Sequence, residues 1–122
     1  MNQAAHAVKQ YNENDNCRMS TASFSELTQQ ATWGTRLNTS KQVVATHQEL
    51  AILRQCASQA LQIPNHVIHV ISSRNQQRIS YLVKTLMHLG ISCGNIIVSG
   101  TSEVGDNPNG VWIFVEELAQ AS

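Results

Sequence analysis

Pro64-Asn65-His66-Val67-Ile68-His69-Val70-Ile71-Ser72-Ser73 is the stretch on which the fold turns. Its Val and Ile side chains are β-branched and suit a pleated, part-buried surface, while Pro64-Asn65 and Ser72-Ser73 punctuate the two ends. His66 to Ile71 therefore reads as a strand buried on at least one face. Just beyond it, Ile79, Leu82, Val83, Leu86 and Leu89 recur at helical steps and make one apolar stripe. This predicts a helix over about 76–89, with Ser73 as its N-cap and Gly90 as the left-handed residue that ends it. Gly94-Asn95 then turns the chain into Ile96-Ile97-Val98, a second strand.

Working back from His66, Val44, Leu50, Leu53, Ala57 and Leu61 follow the same three- and four-residue steps, an amphipathic helix that Pro64 stops after Gln62. From Ser23 to Gln42, Phe24, Leu27, Ala31 and Trp33 fit either a short helix or a helix followed by a strand, with the strand expected near 32–37. Residues 1–22 are polar and Asn-rich without apolar periodicity, and they read as a flexible arm. Towards the C-terminus, the turn cluster Gly105-Asp106-Asn107-Pro108-Asn109-Gly110 precedes Val111–Val115, in which Trp112 and Phe114 share one face.

The order strand, helix, strand, helix, strand, strand predicts an α/β domain of the α+β sandwich type over residues 23–122. Two helices should pack on one face of a mixed three- to four-stranded sheet, with right-handed crossovers where strands run parallel. The expected core is Trp33, Leu50, Leu53, Ala57, Leu61, Ile68, Val70, Leu82, Leu86, Ile97, Ile113 and Val115.

A chain of 122 residues fits one domain. Eight Lys+Arg balance eight Asp+Glu and only 13% of residues are charged, so no footprint for nucleic acid or an anionic membrane is visible. The apolar runs fall far short of the roughly 20 residues that cross a bilayer, and the polar N-terminus shows no signal peptide, so the chain as given is expected to be soluble. Cys17, Cys56 and Cys93 are too few and too dispersed for a zinc ribbon; they leave open one disulfide with a spare thiol, or three free thiols.

Arg78-Ile79-Ser80-Tyr81-Leu82-Val83-Lys84-Thr85-Leu86-Met87-His88-Leu89-Gly90-Ile91 resembles the OmpA-like C-terminal, peptidoglycan-associating domain family. That family's second helix has an Arg-Ala start, an apolar stripe and a Gly-Ile end at this spacing. The similarity continues through the strand Ile96-Ile97-Val98-Ser99 into Gly100-Thr101-Ser102-Glu103, where the family has Gly-x-Gly-Glu and Ser102 replaces the second glycine. It covers about 44–117, and it implies a periplasmic, non-catalytic module that holds or docks to the cell wall.

Members of the family grip the diaminopimelate of peptidoglycan at both ends, its carboxylate by the helix arginine and its ammonium by an Asp in the loop before that helix. Arg78, twelve residues ahead of Gly90, takes the arginine's position. An arginine fork near a helix N-terminus suits a carboxylate, which the helix dipole also favours. The Asp is absent, because Ser72, Ser73, Arg74, Asn75, Gln76 and Gln77 include no carboxylate. Peptidoglycan binding is therefore expected to be weak or lost unless Glu103 supplies the counter-charge. Arg78 and Arg74, with Ser73 and Asn75 as hydrogen-bonding neighbours, are the candidate ligand residues for an anionic group. The plainer reading makes both arginines solvated helix-start residues. If the family's pocket survives here, Arg78→Ala is expected to weaken binding to an anionic cell-wall fragment or acidic partner segment and to leave stability nearly unchanged, whereas unfolding would make Arg78 a structural residue.

The remaining candidates point to structure. His66 and His69 face opposite sides of a strand and cannot share a metal ion, while His47 and His88 lie on separate helices, so no metal or other cofactor is expected. Cys56, between Leu53 and Ala57, reads as core rather than nucleophile. Ser99-Gly100-Thr101-Ser102 lacks the glycine spacing and Lys-Ser/Thr of a phosphate loop, and Trp112 and Phe114 read as core more readily than as a sugar platform. Two functions remain open. One is an envelope anchoring module, associated with the outer membrane, whose partners are peptidoglycan or envelope-assembly proteins of a pilus or secretion machine. The other is a small cytosolic enzyme or regulator, which an upstream signal peptide or lipobox would exclude.

Overall fold

The computed structural model describes residues 24–37, 42–71, 76–99 and 110–118. In chain order these form helix α1 (Phe24–Gln30), strand β1 (Trp33–Leu37), helix α2 (His47–Leu61), strand β2 (His66–Ile71), helix α3 (Gln76–His88), a 3-10 turn (Cys93–Asn95), strand β3 (Ile96–Ser99) and strand β4 (Val111–Glu117). The strands make one mixed four-stranded sheet in the order β1-β4-β2-β3. β2 and β3, joined through α3, run parallel, and β4 is antiparallel to both β1 and β2. The expected arrangement of two helices on one face of a mixed sheet is the one the chain adopts.

Strand alternation assigns the faces. Ile68 and Val70 of β2, Ile96 and Val98 of β3, and Val111, Ile113 and Val115 of β4 meet the apolar stripes of α2 and α3, where Leu53, Cys56, Leu82 and Leu86 are fully buried. The opposite face carries Val67, His69, Ile71, Ile97, Trp112 and Phe114, and here α1 packs Leu27 against Ile71 and Phe114. Of the two readings left open for Ser23–Gln42, helix followed by strand is correct. The close pairing of β1 with β4 requires Gly34, since a Cβ there would lie 2.5 Å from the Phe114 ring. Gly90 leaves α3 at φ 104, a value only glycine adopts without strain.

Two positions of the expected α2 stripe are wrong. Thr46 caps the helix, so Val44 precedes it and is 59% exposed, and Leu61 is 53% exposed. Leu61 follows buried Ala60, and one residue turns a helix by about 100°, which swings Leu61 off the sheet-facing side. Trp33 and Leu50 are half-buried at the rim, and the other expected core residues are buried. Cys56 is a free, buried thiol. Cys17, the 1–22 arm, the turn at 105–109 and the Ser73 cap lie outside the described residues. Among the described residues, no helix is long and apolar enough to cross a membrane.

Candidate binding site

The site is built where the N-termini of α2 and α3 meet. Thr46 caps α2, its hydroxyl accepting from the Glu49 backbone N–H at 3.1 Å, while Glu49 Oε1 accepts from the Thr46 backbone N–H at 3.1 Å. This reciprocal capping box satisfies two of the backbone donors that a helix start leaves open. It also fixes the Glu49 carboxylate so that its second oxygen, Oε2, accepts from an Arg78 guanidinium nitrogen at 3.0 Å. One carboxylate thus closes the first turn of α2 and ties it to the first turn of α3.

Arg78 is the third residue of α3, at the positive end of that helix's dipole, where a cation is disfavoured. It is also only 1% exposed, and Glu49 only 6%. Removing a guanidinium from water costs several kcal/mol unless an opposite charge meets it at good geometry, and Glu49 provides that charge. The expectation that Arg78 is a solvated fork with little part in folding is therefore overturned. Four residues ahead of Leu82 and eight ahead of Leu86, it lies on the stripe side of α3, and its head turns to α2 rather than outward.

Of the four candidate ligand residues, Arg78 alone falls among the described residues; Ser73, Arg74 and Asn75, like Gly100–Glu103, lie outside them. Glu49 is the residue that sequence reasoning missed. Its signal was Thr46-His47-Gln48-Glu49, a capping-box pattern ahead of an apolar run. The pattern locates the helix start but says nothing of the arginine.

His66 and His69 do face opposite sides of β2. His66 Nδ1 lies 2.9 Å from the Ile63 carbonyl, and His69 Nε2 lies 2.8 Å from Glu116 Oε1 on the other face. Among the described residues no cluster of His, Cys, Asp or Glu could hold a metal. Burial pushes the Cys56 thiol up to about 12, so it stays protonated and unreactive in the folded chain. Phe114 is buried and Trp112 half-buried; their rings stack at 5.9 Å, with the Arg36 guanidinium 5.7 Å from the Trp112 ring centre.

The chain matches no protein-family model and no curated protein. Among solved structures it is similar to the periplasmic domain of Helicobacter pylori MotB, as two crystal structures show it. For the fragment spanning residues 97–256 of that protein the identity is 13% and the TM-score 0.48, covering 70% of this chain and 83% of that one. For the fragment spanning residues 78–256 the identity is 13% and the TM-score 0.49, covering 70% of this chain and 76% of that one. At this level the likeness carries neither family membership nor function over to this chain.

Proposed function

We propose that this chain is a non-catalytic anchoring module of the cell envelope, periplasmic in location, that docks to protein partners and holds peptidoglycan weakly or not at all. The sequence resemblance to OmpA-like domains supports the envelope assignment, and an outer-membrane assembly such as a pilus or secretion machine is the partner class it suits. The observation that carries the reading is the Arg78–Glu49 pair. The arginine in the position where the family meets a ligand carboxylate already holds a carboxylate of its own chain, under cover. A ligand carboxylate has to displace Glu49, and its ammonium finds no acidic residue between Ile71 and Arg78.

An unmade charged hydrogen bond costs about 1–3 kcal/mol, so sacculus affinity should lie about tenfold or more below that of an intact family member. Co-sedimentation of the purified full chain with peptidoglycan sacculi, beside such a member, measures this. Equal affinity would overturn the loss of peptidoglycan binding. Fractionation of cells expressing the native gene tests the envelope assignment separately, and recovery of the protein from the cytosol would overturn it.

A further inference from the structure

The sheet face opposite α2 and α3 holds a second pair, a buried histidine with a half-buried glutamate, with no part in the proposed anchoring. His69 is 2% exposed, and its Nε2 lies 2.8 Å from Glu116 Oε1 across the β2–β4 ladder. An ionised carboxylate only accepts, so a neutral imidazole here carries its proton on Nε2 and donates it to Glu116. The other ring nitrogen, Nδ1, is buried and has no hydrogen-bond partner among the described residues. Unprotonated, it carries the ordinary cost of an unpaired buried acceptor; a proton added there brings in addition a charge and a donor that nothing among the described residues meets.

His69 also stands beside the seat of α1. Its cross-strand partner on β4 is Phe114 and its neighbour along the same face of β2 is Ile71, the two residues against which Leu27 of α1 packs. We infer that His69 and Glu116 form an acid-sensitive latch on the back of the sheet, which keeps α1 seated at neutral pH and loosens it when His69 takes a proton from solvent at Nδ1.

The surroundings leave Glu116 as the counterweight. Among the described residues, β3 places Ile97 beside His69, β4 gives Phe114 and Glu116, and β1 contributes Arg36, which lies over Trp112. α1 brings Leu27 into the layer and keeps Glu26 exposed. Burial of the imidazole lowers its proton affinity, and the hydrogen bond and charge of Glu116 offset that only in part. In the unfolded chain the same imidazole protonates near pH 6.5. The folded state thus binds fewer protons below that pH, so the contribution to stability is complete above about pH 6.5 and is lost as the pH falls towards the lower folded value. Among the described residues, α1 is the element packed on this layer, beside His69 at Ile71 and Phe114, so water reaches Nδ1 there when α1 opens.

The test is hydrogen exchange on the full chain at pH 7.5 and 5.5, corrected for the intrinsic pH dependence of exchange, read at residues 28–31 of α1 and along α3. Acidification should lower protection in α1 by several-fold, up to the roughly tenfold ceiling that one imidazole sets over this pH interval, and change α3 much less. In His69→Gln, whose amide still donates to Glu116 but does not titrate, α1 protection should hold within about twofold. In Glu116→Gln the imidazole loses the charge that offsets its burial, so the loss should still begin near pH 6.5 and at pH 5.5 should be at least as large as in the wild type. Unchanged α1 protection in the wild type, or an equal loss in His69→Gln, would overturn the latch. Should His69→Gln fail to fold, NMR titration of the wild-type imidazoles decides: a His69 that titrates at or above pH 6.5 would also overturn it.

Discussion

Glu49 serves two helices through one carboxylate, closing the first turn of α2 with one oxygen and meeting Arg78 of α3 with the other. Removing it therefore removes a cap and a buried counter-charge together. Glu49→Ala should cost about 3–5 kcal/mol in urea denaturation, the usual penalty for leaving a buried charge without its partner. Glu49→Gln keeps a capping-box side chain, so it should recover about 1 kcal/mol of that loss. Arg78→Ala should cost about 3–5 kcal/mol as well, against the near-neutral effect that an exposed helix-start arginine would give. Replacing both residues with apolar side chains, Glu49→Leu with Arg78→Met, should return stability to within about 1–2 kcal/mol of the wild type. Single variants that each cost below about 1 kcal/mol would show that the pair does not fasten the helices.

At the scale of elements, α3 is anchored by a stripe and α2 by a narrower one. Leu86 is fully buried between α3 and the sheet, so Leu86→Ala should leave a cavity and cost about 2–5 kcal/mol. Leu61, more than half exposed at the end of α2, should tolerate Ala within about 0.5 kcal/mol. The contrast between these two leucines checks the face assigned to each helix, and calorimetric melts suffice to read it. In β1, Gly34→Ala should destabilise by about 1–3 kcal/mol, because the new methyl meets the Phe114 ring and β1 can yield only by drawing away from β4.

For the whole molecule, Cys56 is a reporter of global opening. It sits on α2 against the sheet, 0% exposed, with its thiol pushed up to about 12 by burial, so a thiol reagent reaches it only when the core opens. In a chain carrying Cys17→Ser and Cys93→Ser, labelling of Cys56 should follow global unfolding. Adding Leu86→Ala should raise its rate about tenfold for each ~1.4 kcal/mol lost. A rate insensitive to Leu86→Ala would mean that α2 lifts off the sheet locally, without the rest of the fold.

The sequence by itself determined the elements and their order, because helix stripes, β-branched runs and Gly-Pro punctuation are local signals. It gave the strand His66–Ile71, the helix before Gly90, the weak strand ahead of α2 and the opposite facing of His66 and His69 on one strand. It also determined that no carboxylate lies between Ile71 and Arg78. Only the tertiary structure decided what Arg78 touches. Its partner stands 29 residues away on another helix, and His69 meets Glu116 across 47 residues, separations over which periodicity carries no information. The burial of Arg78 and the exposure of Leu61 share that cause. A helix pattern fixes which residues lie on one side, but the angle at which the side meets the sheet is set by packing, and a rotation of one residue takes a leucine out of the core or an arginine into it.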